Sequence, residues 1–144
     1  MKLRFDRTIS VYSALGLLAV LLVSSSAAPI VFAASDTAHV MIVGHGIVDT
    51  HGKSVKTLKN GEQYFILFVL ADKTSRILPL NALLLLDGVE IVGVGGDMGP
   101  HSTILLSSGT LTAVTGTHTV EIGVCTDSSC TAFYQTVTFQ FTVT

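Results

Sequence analysis

The residues that close the chain narrow the fold most. His118, Val120, Ile122 and Val124 alternate with Thr117, Thr119, Glu121 and Gly123. After Asp127-Ser128-Ser129 the pattern resumes, with Val137, Phe139, Phe141 and Val143 alternating with Thr136, Thr138, Gln140 and Thr142. Successive side chains of a strand point to opposite faces, so a period of two in β-branched and aromatic residues predicts two half-buried strands. One face of this hairpin is expected to enter a core and the threonine-rich face to meet water. Cys125 and Cys130, in Cys-Thr-Asp-Ser-Ser-Cys, stand at the facing ends of the two strands.

Upstream, residues 38–48 (AHVMIVGHGIV) read as a first strand, with Val55 to Leu58 a short strand before an Asn60-Gly61 turn. Residues 63–71 (QYFILFVLA) are almost continuously apolar, as expected of a central strand covered on both faces or facing a partner. Residues 77–86 are open between a strand and one or two helical turns beginning at Pro79 and Asn81 and ended by Gly88. Val89 to Val94 is a predicted strand, residues 93–100 a glycine-rich loop, and residues 103–114 one or two strands around Ser107-Ser108-Gly109.

Turn signals every 8–12 residues, about seven short strands and no long helix predict an all-β, immunoglobulin-like antiparallel β-sandwich. No internal repeat or long linker interrupts it. Residues 117–143 (THTVEIGVCTDSSCTAFYQTVTFQFTV) resemble the closing hairpin of immunoglobulin-like and fibronectin-type-III-like modules of microbial cell surfaces, over about a fifth of the chain. The chain departs from antibody-type domains in having no Trp and no cysteine pair spanning two sheets. The resemblance implies a secreted surface module, in some cases one that lends its N-terminal strand to the next subunit of a filament.

The first part of the chain carries a different signal. Lys2, Arg4 and Arg7 precede a stretch from Thr8 to Ser35 without a charged residue, centred on Val11 to Val23. A basic start and an apolar run are the parts of a secretory signal, and Val31-Phe32-Ala33 offers a cleavage site after Ala33 or Ala34. The expectation is a signal peptide over residues 1–34 and a sandwich over 35–144. An uncleaved membrane anchor is the alternative, since about 20 apolar residues span a bilayer. Both place the sandwich outside the cell, at the surface or beyond it. In an oxidising compartment Cys125 and Cys130 read as a disulfide, and closing so short a loop is worth roughly 2 kcal/mol.

Linear motifs for chemistry are missing. Beyond residue 35 the basic residues are Lys53, Lys56, Lys59, Lys73 and Arg76, too scattered to grip nucleic acid. His39 and His45 share a strand parity but stand roughly 20 Å apart at about 3.3 Å per residue, too far to share a metal. His51, His101 and His118 belong to no ligand spacing. Asp87, Glu90 and Asp97 flank the glycine-rich segment and are the candidates for a calcium loop, although their spacing fits no known one. Gly93 to Gly99 has the wrong glycine spacing for phosphate, with no helix after it. No nucleophile elbow and no glycosylation sequon occur. No cofactor and no enzymatic activity are expected.

The remaining excess of apolar residues points to a protein partner. The leading expectation is a structural module that self-associates or binds another surface protein, with Ala38, Val40, Ile42, Ile47 and Val48 as the candidate interface strand. The alternatives are a membrane-anchored accessory domain docking on a larger envelope machine, and a small-ligand or calcium-binding domain.

Overall fold

A computed structural model describes residues 38–144; the expected signal segment and its cleavage site at Ala33 or Ala34 lie outside the described residues. Nine strands form two sheets. They are β1 (Met41–Asp49), β2 (Thr57–Leu58), β3 (Gln63–Ala71), β4 (Leu78–Leu86), β5 (Val89–Met98), β6 (Thr103–Ser107), β7 (Leu111–Thr112), β8 (Gly116–Cys125) and β9 (Phe133–Val143). In the four-stranded sheet β3 is central, with β1 on one side and β6 and then β7 on the other. The five-stranded sheet runs β2-β9-β8-β4-β5. Every pairing is antiparallel except the short β2–β9 contact, which is parallel and departs from the all-antiparallel expectation. Thr144 continues that ladder, donating to the Leu58 carbonyl at 2.9 Å and accepting from the Asn60 amide at 2.8 Å.

The core lies between the sheets and is built by alternation. β3 contributes Tyr64, Ile66, Phe68 and Leu70, β4 contributes Leu78, Leu80, Ala82 and Leu84, and β8 contributes Val120, Ile122 and Val124. From β9 come Phe141 and Val143, with Val137 and Phe139 packed against the cluster, while Thr136, Thr138, Gln140 and Thr142 face water. At about 25 cal/mol per Å² of apolar surface, these buried side chains supply the main drive for folding.

Residues 78–86 are a strand. Leu78, Leu80, Ala82 and Leu84 all enter the core, a period that a helix would scatter around its axis. Pro79 is tolerated because β8 pairs only with Ala82 to Leu86, so at Pro79 no β8 partner waits for an amide. The loop expected over residues 93–100 is corrected as far as Met98. β5 stays paired with β4 through Met98, opposite Leu78. Glycine carries no side chain to display a period of two, and it is the β4 partner that holds these glycines extended. Glu90 reaches over Gly93, where a Cβ would stand 2.7 Å from Oε1 and the flexible Glu90 side chain would have to swing aside. The β4–β5 turn is Asp87-Gly88, with φ of 52° and 79°, the left-handed pair that a two-residue hairpin requires.

The disulfide forms between Cys125 and Cys130, with Cα atoms 4.9 Å apart. It does not join facing strand ends as expected. The ladder partner of Cys125 is Phe133, and Cys130 lies within the turn, so the bond staples the turn back onto β8. Asp127 Oδ1 organises the same turn by accepting from the amides of Ser129 and Cys130, both at 3.0 Å.

Candidate functional site

The titratable residues are dispersed, and several hold the fold together. His118, on β8, has its Nδ1 2.7 Å from Asp87 Oδ2 and its Nε2 2.6 Å from the Val114 carbonyl. Both neighbours are acceptors, so the ring meets both when it is doubly protonated. The hydrogen bond to Asp87, followed by that to Val114, raises the His118 pKa above its ordinary 6.5. Asp87 is held below its ordinary value by His118 first and then by the Thr119 amide, which donates to Oδ1 at 2.8 Å. The pair therefore pins the β4–β5 turn to β8. His45 faces the core, stacked on Phe139 at 4.7 Å, and burial lowers its pKa. His39 stacks on Tyr134 at 4.6 Å.

The calcium candidates are not gathered. Asp87 is engaged by His118 and Thr119 at one end of β5, Glu90 folds over Gly93, and Asp97 lies opposite Pro79 at the other end of the strand. Seven residues of strand separate Glu90 from Asp97, roughly 23 Å at about 3.3 Å per residue. Among the described residues no group of three or more His, Cys, Asp or Glu is placed to hold a metal ion. Asp72 is the buried carboxylate, 1% exposed. Its Oδ1 accepts from the Thr74 amide and hydroxyl, both at 2.7 Å, and its Oδ2 has no partner. No ligating group converges on that oxygen.

An open groove of about 600 Å³ runs between the β1–β2 connection and the start of β3, lined in part by Asp49, His51, Lys59, Glu62 and Thr144. Its carboxylates are occupied with its own walls. Asp49 Oδ1 accepts from the amides of His51 and Lys53, both at 2.9 Å, and Glu62 Oε2 accepts from the Lys59 amide at 2.8 Å. Those amides hold Asp49 below its ordinary pKa.

The two outer faces of the sandwich differ in kind. On the five-stranded sheet the outer face carries Asn81, Thr119, Glu121, Thr136, Thr138 and Gln140, with Leu83 and Leu85 of β4 among them. On the four-stranded sheet the alternate residues of β3, Phe65, Leu67, Val69 and Ala71, point away from the core. Their neighbours across the ladders are Met41, Gly44, Gly46 and Val48 on β1 and Thr103, Leu105 and Ser107 on β6. Across β1, β3 and β6 Asp49 is the only charged residue. The hydrophobicity of β3 on both faces, visible in the sequence, is thus divided between a core and an outer surface on which Ser107 and Thr103 of β6 are the polar neighbours.

The candidate interface strand lies in the chain's own sheet. Val40, Ile42 and Ile47 are core residues, Ala38 packs against that core, and Val48 turns to the outer face. The β1 edge is also guarded. The Ile42 amide donates to Gln135 Oε1 at 2.8 Å and the Ile42 carbonyl accepts from Gln135 Nε2 at 3.4 Å, so one side-chain amide occupies the place of a neighbouring strand. Sequence reading gave no sign of this clamp, since its partners are 93 positions apart. Among the described residues no helix is long and apolar enough to cross a membrane.

No known protein family matches the sequence. No curated protein matches it either. Solved structures do. The crystal structure of the CARDB domain of the PF1109 protein from Pyrococcus furiosus, in complex with di-metal ions, is similar with a TM-score of 0.54 and 11% identity, over 76% of this chain and 97% of that one. The solution structure of the same CARDB domain gives a TM-score of 0.55 and 11% identity, over 74% of this chain and 97% of that one. The C-terminal domain of wzt gives 0.53 and 12%, over 75% of each chain. At such identity the likeness establishes the immunoglobulin-like sandwich and nothing finer.

Proposed function

We propose that this chain is a non-enzymatic, extracellular structural module of the cell surface that associates with further copies of itself through the outer face of its four-stranded sheet. The observation that carries the reading is the contrast between the two outer faces, one rich in threonine although it holds Leu83 and Leu85, the other made mainly of Val48, Phe65, Leu67, Val69, Ala71 and Leu105, with Thr103 and Ser107 beside them. A second copy is the fitting occupant, because an uncharged face laid on its own symmetry mate leaves no charge unpaired.

Export rests on the charge-free stretch after Lys2, Arg4 and Arg7, and on a cysteine pair that suits an oxidising compartment. In this reading the chain is cut after Ala33 or Ala34. Strand exchange through β1 is the weaker route to assembly, since Gln135 guards that edge and most of the strand's side chains serve its own core. The test is the intact mass and N-terminal sequence of the native protein, taken from fractionated cells and medium. A chain beginning at Ala34 or Ser35 in large sedimenting particles is expected. A full-length chain in the membrane fraction would replace this reading with that of an anchored accessory domain.

A further inference from the structure

A strand at a sheet edge presents a row of unpaired amides and carbonyls, and most edges of this sandwich are short or blocked. The β1 edge is held by Gln135 at Ile42 and, further along, by Val55, whose amide donates to the Ile47 carbonyl at 2.9 Å. β2 is two residues long, and beside it Glu62 accepts from the Lys59 amide through Oε2 at 2.8 Å and donates its own amide to the Lys59 carbonyl at 3.0 Å. β6 and β7 span five and two residues. β5 is ten residues long and pairs only with β4, so among the described residues nothing bonds to its free edge.

Gly93, Gly95 and Gly96 lie in the middle of β5, and glycine within a strand lets another backbone come close. Val92 and Val94, opposite Leu84 and Ala82, are half-buried against the core. Ile104 and Leu106 of β6 are half-buried against the same core, and only residues 99–102 separate the two strands. Apolar residues of both sheets therefore flank this side of the sandwich. Glu90 and Asp97 stand toward the two ends of the β5 edge, both exposed, and the ion pair found among the described residues involves neither of them. No Lys or Arg lies on β4, β5 or β6.

We propose that the free edge of β5 takes up an extended strand of another protein, with apolar residues in alternation and a Lys or Arg toward each end to meet Glu90 and Asp97. A second copy of the chain does not supply this strand. An antiparallel pair of β5 strands centred between Gly93 and Val94 would set Glu90 of each copy against Asp97 of the other, and like charges facing across a ladder repel. The chain's own cationic strand, β2 with Lys56 and Lys59 beside it, has its edge taken by Glu62. The contact is thus separate from the face through which copies associate, and it adds a partner of a different kind.

The test uses the full 144-residue chain and the peptide Lys-Thr-Val-Thr-Val-Thr-Val-Lys, with a control peptide that has Glu in place of both lysines. Hydrogen exchange is read amide by amide. With the lysine peptide, the amides between Val92 and Gly96 that face the free edge should exchange about tenfold more slowly, and the glutamate peptide should leave them unchanged. A chain carrying Glu90→Lys and Asp97→Lys should reverse the preference, gaining protection from the glutamate peptide alone. Both side chains are exposed, so the reversal leaves the core untouched. Equal protection by the two peptides, protection elsewhere on the sandwich with none at β5, or no protection at millimolar peptide overturns the proposal. So does slowing at these amides that grows with protein concentration when no peptide is present, which would make a second copy the occupant.

Discussion

His118 ties together Asp87 from the β4–β5 turn, the Val114 carbonyl and the ring of Phe141, whose centroid is 5.2 Å away. Its folded-state pKa is raised, so its contribution to stability is complete below the ordinary 6.5 and is lost as pH rises through the raised value. The Asp87 pKa is lowered, so its contribution is complete above the ordinary 3.8 and is lost as pH falls through the lowered value. The pair is therefore worth most between these two ordinary values. Thermal melts of the wild type and Asp87→Asn across this range should differ by about 1 kcal/mol near pH 5, solvent screening of the exposed carboxylate keeping the figure small. The gap should narrow above pH 7; a constant gap would mean that the turn, not the charge pair, is responsible. Sequence reading placed His118 on the inward side of its strand but could not supply Asp87, which is 31 positions away. Gly123 is a second residue whose role only the fold discloses. A Cβ there would stand 2.5 Å from Phe133 Cδ1. Gly123→Ala should cost about 1–2 kcal/mol by overpacking, and Phe133→Ala in the same chain should relieve most of that cost. Additive losses in the double variant would show that the ring simply swings clear.

At the scale of elements, what could be read from the sequence was what side chains can show. Strands β3, β8 and β9 are legible because branched and aromatic residues mark both the strand and its inward face. The end of β5 is not, because Gly93, Gly95 and Gly96 mark no face and the partner strand supplies the constraint. Residues 77–86 were ambiguous because a run of leucines satisfies either period until a core selects one. The parallel β2–β9 contact spans two residues and leaves no pattern. Two devices at this scale have measurable weights. Replacing Cys125 and Cys130 by serine should lower stability by roughly 2 kcal/mol while preserving the β-sheet circular dichroism, since the staple constrains one turn and the ladder does not depend on it. Loss of the fold would contradict that local role. Gln135→Ala should cost about 1 kcal/mol and speed hydrogen exchange at the Ile42 amide above that of the β3 amides. Unchanged protection at Ile42 would mean that the clamp does not hold the edge in solution.

For the whole molecule, the sandwich is legible from strand count and turn spacing, and the described architecture and the likeness to the CARDB and wzt domains agree with it. Role is less legible, because sandwiches of this kind host many functions and the distinguishing feature here is a face. The sequence showed that β3 is apolar on both sides. Only the fold shows that one side meets the core and the other, with Val48 and Leu105, makes a second largely apolar surface. The proposed contact between copies of the chain is this outer surface of the four-stranded sheet. Sedimentation velocity on the processed chain, with and without Leu105→Lys, tests it most directly. Leu105 is half-buried on a short strand, so a lysine there places a charge on the face without entering the core. The account predicts large, concentration-dependent species for the processed chain and a folded monomer for Leu105→Lys. A processed chain that sediments as a monomer at high concentration, or assemblies that the lysine leaves untouched, would contradict it.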